Sequence, residues 1–157
     1  MHTVLKTLLA STVLILGAAT AAGAPDPIIG TWKLNVAKST FSPGPAVKSQ
    51  TRHYVATPQG LLLTLTTTAA DGKTNTSTMT FKYDGKPYPM IGNPDFDSVS
   101  VTRVDANVTA STQLKAGKNV GSGLRTLAKD GKTMTFAQKG THVSGVKYDD
   151  MFSYDRQ

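Results

Sequence analysis

A chain of 157 residues with 17 Lys and Arg against 10 Asp and Glu, three His and no cysteine has room for one domain and carries a formal charge of +7. The missing cysteine excludes disulfides, thiolate metal sites, a cysteine nucleophile and a lipid-modified N-terminal cysteine, so the fold must stand on its core. The basic residues come one or two at a time beside turns, as at Lys73, Lys86, Lys118 and Lys132, not in the aromatic-interleaved clusters that nucleic acid requires.

Residues 1–24 have the pattern of a secretory signal peptide. Lys6 supplies a positive start, residues 7–22 are apolar or small throughout, and Ala19-Thr20-Ala21 and Ala22-Gly23-Ala24 both offer small-residue cleavage patterns. The apolar run falls short of the roughly 20 residues that a spanning helix needs. The expectation is an exported protein, periplasmic or extracellular, cleaved between 21 and 24 and not inserted in the membrane afterwards. Residues 25–157 then form a single domain that has lost one lysine and keeps a charge of +6.

The first strand is predicted at residues 28–34, around Gly30-Thr31-Trp32, which holds the only tryptophan. Val36 to Val47 follows with Ser39, Phe41, Ser42, Pro43, Gly44 and Pro45, too many breakers for a central strand. It is either a plain connector or a loop folded across one end with Phe41 tucked inward. From Lys48 onward the pattern is regular. Strands are predicted at 48–57, 61–69, 74–83, 86–91, 98–104, 108–116, 119–128, 132–139 and 146–155, ten in all with the first, or eight if short neighbours merge. Asp-Gly stands at 71–72, 84–85 and 130–131, each time followed by Lys, and marks tight hairpin turns whose central residues take positive φ. Short connections pair each strand with its neighbour in sequence. The fold class is therefore all-β, an up-and-down antiparallel meander of about 8–10 strands that removes both its edges by pairing the last strand with the first.

Alternation gives candidate inward faces. Leu61, Leu63 and Leu65 share one face, as do Met79, Phe81 and Tyr83, then Val99, Val101 and Arg103, then Met134, Phe136 and Gln138. On the second strand either His53 or the Arg52 and Tyr54 side faces inward, since neighbours on a strand point opposite ways. The direction of Arg125 stays open, because Leu124 faces away from it while Gly121 and Gly123 mark a bend.

A meandering barrel that opens on Gly30-x-Trp32 and closes on Tyr154-Asp155-Arg156 resembles the lipocalin and calycin superfamily, in particular the small secreted lipocalin-like proteins of bacteria. The resemblance implies that Trp32 sits at the closed end with Arg156 packed across its ring, Gly30, Trp32 and Arg156 forming the structural closure. It also implies a cavity for a small hydrophobic molecule. The last strand lacks the Arg-x-Tyr carboxylate clamp of fatty-acid-binding proteins, which argues against a fatty-acid ligand.

Motifs for chemistry are sparse. There is no Gly-x-Ser-x-Gly elbow and no His-Glu-x-x-His pair, and the acids, all aspartates, lack the spacing of a calcium loop, so neither metal nor cofactor is expected. The leading expectation is a monomeric carrier whose ligand is lined by Phe41, Leu63, Phe81, Tyr83, Arg103, Phe136 and Gln138. The alternative is an enzyme, a cyclase, isomerase or lyase using the same cavity, with His53, Tyr54 and Arg103 as candidate catalytic groups. A third class, an inhibitor of lysozyme-like proteins, conflicts with charge, since those partners are commonly basic.

Overall fold

The computed structural model describes residues 24–157; apart from Ala24, the expected signal peptide lies outside the described residues. Ten strands follow one another: β1 (Gly30–Leu34), β2 (Ser49–Thr57), β3 (Gly60–Thr68), β4 (Thr74–Phe81), β5 (Asp84–Pro89), β6 (Ser98–Arg103), β7 (Val108–Lys115), β8 (Lys118–Leu127), β9 (Thr133–Thr141) and β10 (Lys147–Arg156). They form one antiparallel sheet in the order β4-β3-β2-β1-β10-β9-β8-β7-β6-β5. The predicted first-to-last pairing is present, with Trp32 opposite Arg156 and Leu34 opposite Tyr154. The remaining seam, β4 against β5, is closed by a single bridge in which Thr78 and Ile91 exchange both backbone hydrogen bonds at 2.9 Å. The result is an up-and-down barrel, nearly closed. No helix among the described residues is long and apolar enough to cross a membrane.

The three Asp-Gly-Lys segments share one local hydrogen bond. In each, the aspartate carboxylate accepts the backbone N–H of the lysine two residues on, at 2.9 Å for Asp71, 3.1 Å for Asp84 and 2.9 Å for Asp130. Only the glycine takes a positive φ there, so these are not the turns with two left-handed central residues that the dipeptide suggests. That geometry occurs at Ala116-Gly117 instead, with φ of 49° and 76°. Asp84-Gly85 does not form the predicted turn; the link between β4 and β5 is Lys82-Tyr83, and the dipeptide opens β5 at a bulge.

The barrel has one closed and one open end. At the closed end Ile28 and Trp32 are almost wholly buried, and Leu61, Phe81, Leu127 and Met134 complete the core. At the open end lie the β3–β4 turn, the 90–97 loop between β5 and β6, and the 142–146 loop between β9 and β10. The last two are tied together by Asp95, whose carboxylate pairs with His142 Nδ1 at 2.9 Å and accepts the Val143 N–H at 2.9 Å.

The connector after β1 does not lie across the mouth. After a 3-10 turn at Val36–Lys38 it runs along β10, where Thr40 bridges Met151 and the Ser42 carbonyl accepts from Asp149 N–H at 2.9 Å. Phe41 packs edge-on against Phe152 at 5.4 Å, within the wall. Backbone groups left unpaired on β10 beyond the short β1 draw the connector into this position.

Candidate functional site

Period-two alternation on β2 turns Gln50, Arg52 and Tyr54 inward and leaves His53 exposed, its Nδ1 at 2.9 Å from the Thr31 hydroxyl. On β8 the same rule turns Gly121, Gly123, Arg125 and Leu127 inward and Leu124 outward. Glycine at 123 is required by close packing: a Cβ there would lie 2.5 Å from Phe136. A Cβ at Gly121 would collide with the Gln113 amide oxygen and lie 2.9 Å from the Tyr148 hydroxyl. These two residues therefore let side chains of neighbouring strands lie flat across β8.

Together the inward faces enclose a cavity of about 620 Å³ that opens at the loop end. Leu65, Met79, Met90, Phe96, Val99 and Phe152 give it apolar walls, while Gln50, Thr67, Ser77, Thr109 and Gln113 supply scattered polar groups. Its inner part holds two guanidiniums. Arg52 donates from Nε to the Tyr154 hydroxyl at 2.9 Å and from Nη1 to the Tyr54 hydroxyl at 3.4 Å, and its Cζ stands 4.4 Å from the Phe136 ring centroid. Arg125 donates from Nη2 to the Tyr83 hydroxyl at 3.0 Å, with Cζ 5.5 Å from the Tyr54 centroid. The Tyr154 hydroxyl in turn donates to the Gln50 amide oxygen.

Electrostatics in this layer are unusual for a buried site. Burial alone would raise the Tyr54 phenol, but the Arg52 and Arg125 guanidiniums outweigh it and hold its pKa below the ordinary tyrosine value. Burial raises Tyr154 and Tyr83 against the opposing pull of their arginines. Burial would lower Arg52 and Arg125, yet the neighbouring phenols hold both above the ordinary arginine value. Nearer the mouth, burial together with Asp95 and Asp150 pushes Tyr148 up to about 12.

Of the residues expected to line a ligand, Leu63, Phe81, Phe136 and Gln138 border this cavity, as does Tyr54. Phe41, Tyr83 and Arg103 do not. Arg103 reaches the closed end, where it pairs with Asp26 at 2.5 Å and stacks 4.1 Å from the Tyr83 centroid. His53 is on the outer surface, apart from the cavity. Arg156 lies 4.2 Å from the Trp32 ring centroid at the closed end, and Gly30 at φ 127° allows its approach, a Cβ there falling 3.0 Å from Nη1. Arg52 and Arg125 are the functional candidates that sequence reading did not single out. Arg52 shares a face of β2 with Gln50 and Tyr54, one of the two faces that alternation left open.

Among the described residues no group of three or more His or Asp side chains converges as a metal site. The class defined by fold and cavity is thus a nearly closed, ten-stranded antiparallel barrel with an internal site open at one end. No protein-family model matches the chain, and comparison with curated proteins gives no match.

Proposed function

We propose that this protein is an exported, lipocalin-like binding protein that carries a small, largely apolar molecule inside its barrel. The observation that carries this reading is the cavity itself: about 620 Å³, with a lining surface that is mostly apolar, and reachable from one end. That volume lies within the range of roughly 300–1,000 Å³ typical of small-molecule sites. The barrel layout and the Gly30-x-Trp32 opening support the lipocalin-like assignment. Native mass spectrometry of protein from its own host, with titration of a neutral solvatochromic dye, tests the proposal. A barrel that is consistently empty and takes up no dye refutes it.

A second reading, an enzyme in the same cavity, is favoured by Tyr54 alone, a phenol in the cavity wall flanked by two guanidiniums and so suited to proton transfer. His53 and Arg103, the other candidates, lie away from the cavity. Turnover of a host metabolite that survives Tyr54→Phe unchanged would remove this reading.

A further inference from the structure

Arg52 and Arg125 project into the barrel from β2 and β8, and each is only 7% exposed. Neither belongs to an ion pair; the three among the described residues are Lys73–Asp71, Arg103–Asp26 and His142–Asp95. A buried cation without a counter-charge is strongly unfavourable, and arginine cannot relieve the cost by losing its proton. The phenols and ring faces around the two guanidiniums solvate them but bring no net negative charge while protonated. Arg103 shows that this barrel can supply an acid to an arginine, since Asp26 meets it at 2.5 Å. Beside Arg52 and Arg125 it supplies none: Asp71 and Asp95, the acids that border the cavity, stand at its mouth, paired with Lys73 and His142.

The donors tell where a counter-charge fits. Arg52 uses Nε and Nη1, and Arg125 uses Nη2, on tyrosine hydroxyls. No sealed side-chain nitrogen or oxygen among the described residues lacks a partner, so Nη2 of Arg52 and both Nε and Nη1 of Arg125 border open space, and both residues line the cavity. Planar forks with free N–H groups are the preferred recognition elements for oxyanions. The basic balance of residues 25–157, +6, also favours capture of anions.

We infer that the ligand is an amphiphilic organic oxyanion, carboxylate or sulfonate in type, bound head-first with its anionic group on Arg52 and Arg125 and its apolar body among Leu65, Met79, Phe96, Val99 and Phe152. This rests on the reading of the barrel as a small-molecule carrier and adds the charge, the head group and the orientation. It also replaces the expectation from the last strand: the anion-binding groups come from β2 and β8, so the lack of an Arg-x-Tyr clamp on β10 says nothing against an acidic ligand.

The test is displacement of a bound neutral dye from delipidated protein by decanoate, decanesulfonate, decanol and decylamine, all below their aggregation concentrations. Both anions are expected to bind at least about tenfold more tightly than the alcohol, with the amine weakest, as follows from gaining charge-assisted hydrogen bonds in a desolvated site. Arg52→Met and Arg125→Met are each expected to lose that preference while still binding decanol, and to unfold at the same or a higher temperature without ligand. Equal affinity of decanoate and decanol for the unaltered protein overturns the inference while leaving the carrier reading intact. So does an equal loss of both ligands in the methionine variants. A protein that admits neither dye nor any of the four probes removes the carrier reading, and the inference with it. Because the charge series on the unaltered protein decides the matter, a variant that fails to fold does not block the test.

Discussion

Replacing Arg156 by alanine removes the closure of the barrel at its buried end. The guanidinium lies 4.2 Å from the centroid of Trp32, an interaction of about 0.5–2 kcal/mol. It also donates from Nε to the Gly131 carbonyl at 2.7 Å, from Nη1 to the Ile29 carbonyl at 2.8 Å and from Nη2 to the Pro27 carbonyl. One side chain thus ties β10 to the β8–β9 turn and to the segment leading into β1. Because the group is only partly buried, the hydrogen bonds count at about 0.5 kcal/mol each, the low end of the net range, and the total loss comes to about 2–3.5 kcal/mol. For a domain of this size, that lowers the melting temperature by roughly 6–14 °C. Arg156→Lys keeps the charge but not the planar fork and should fall between the two. Thermal unfolding followed by calorimetry gives the shift, and a double-mutant cycle with Trp32→Phe isolates the stacking, expected at about 0.5–2 kcal/mol. Ligand affinity of the folded fraction should be unchanged, since Trp32 and Arg156 lie apart from the cavity. A variant as stable as the parent that has lost ligand binding would refute the assignment of this pair to closure.

Three further outcomes are expected. Alkaline titration of the five tyrosines, read by phenolate absorbance, should separate one early phenol from the rest, with Tyr148 titrating near 12; Tyr54→Phe should delete the early step, and an added anion should delay it. In linkage terms, the lowered Tyr54 contributes stability present above the ordinary value of about 10 and lost as pH falls through its folded value. The raised Tyr148 contributes stability that is full below about 10 and lost as pH rises through about 12. Gly123→Ala should cost about 1–3 kcal/mol in chemical denaturation, because its Cβ would meet Phe136 at 2.5 Å; a neutral result would mean that β8 can shift away. Leu124→Lys and His53→Ala should each change stability by no more than about 0.5 kcal/mol and leave dye binding intact, since both side chains are on the outer face. A collapse of either variant would contradict the register of β8 or β2.

Strand number and order were legible because the local signals agree. Turn residues recur at short intervals, the intervening runs alternate, and an antiparallel β1–β10 pair necessarily sets Trp32 near Arg156. The inward face of β2 was not legible from alternation alone. Gln50-Arg52-Tyr54 and Thr51-His53-Val55 each mix polar and apolar residues, so hydrophobicity does not choose between them. Buried arginines without acids run against the rule that buried charges are paired, so that rule gave no ground for choosing the inward direction of Arg52 or Arg125. The course of the connector was left open for a different reason. Its prolines and glycine show that it is no central strand, but its course is set by backbone groups of β10 around Met151, a feature with no side-chain signature. Tyr83 and Arg103 continue their apolar faces correctly in phase, yet they sit so far toward the closed end that they pass below the cavity.

The four inward or closure arginines separate stability from binding along the barrel axis. Arg156 is satisfied by backbone carbonyls and an indole face, and Arg103 by Asp26 and a phenol face. Both lie at the closed end and hold the chain's entry segment in place. Arg52 and Arg125 are met only by phenols and rings, at the depth where the barrel becomes hollow. If uncompensated charge there served only packing, hydrophobic residues of similar volume would serve it at least as well, because burying an arginine forfeits its hydration. The difference between the two pairs is therefore best understood through what enters from the mouth. An anion that neutralises the inner pair stabilises the folded state in proportion to its binding, so the apo protein should be the less stable form and the melting temperature should rise with decanoate concentration. Decanol at equal concentration should raise it far less, and the same comparison in Arg103→Met, whose charge lies below the cavity, should preserve the difference.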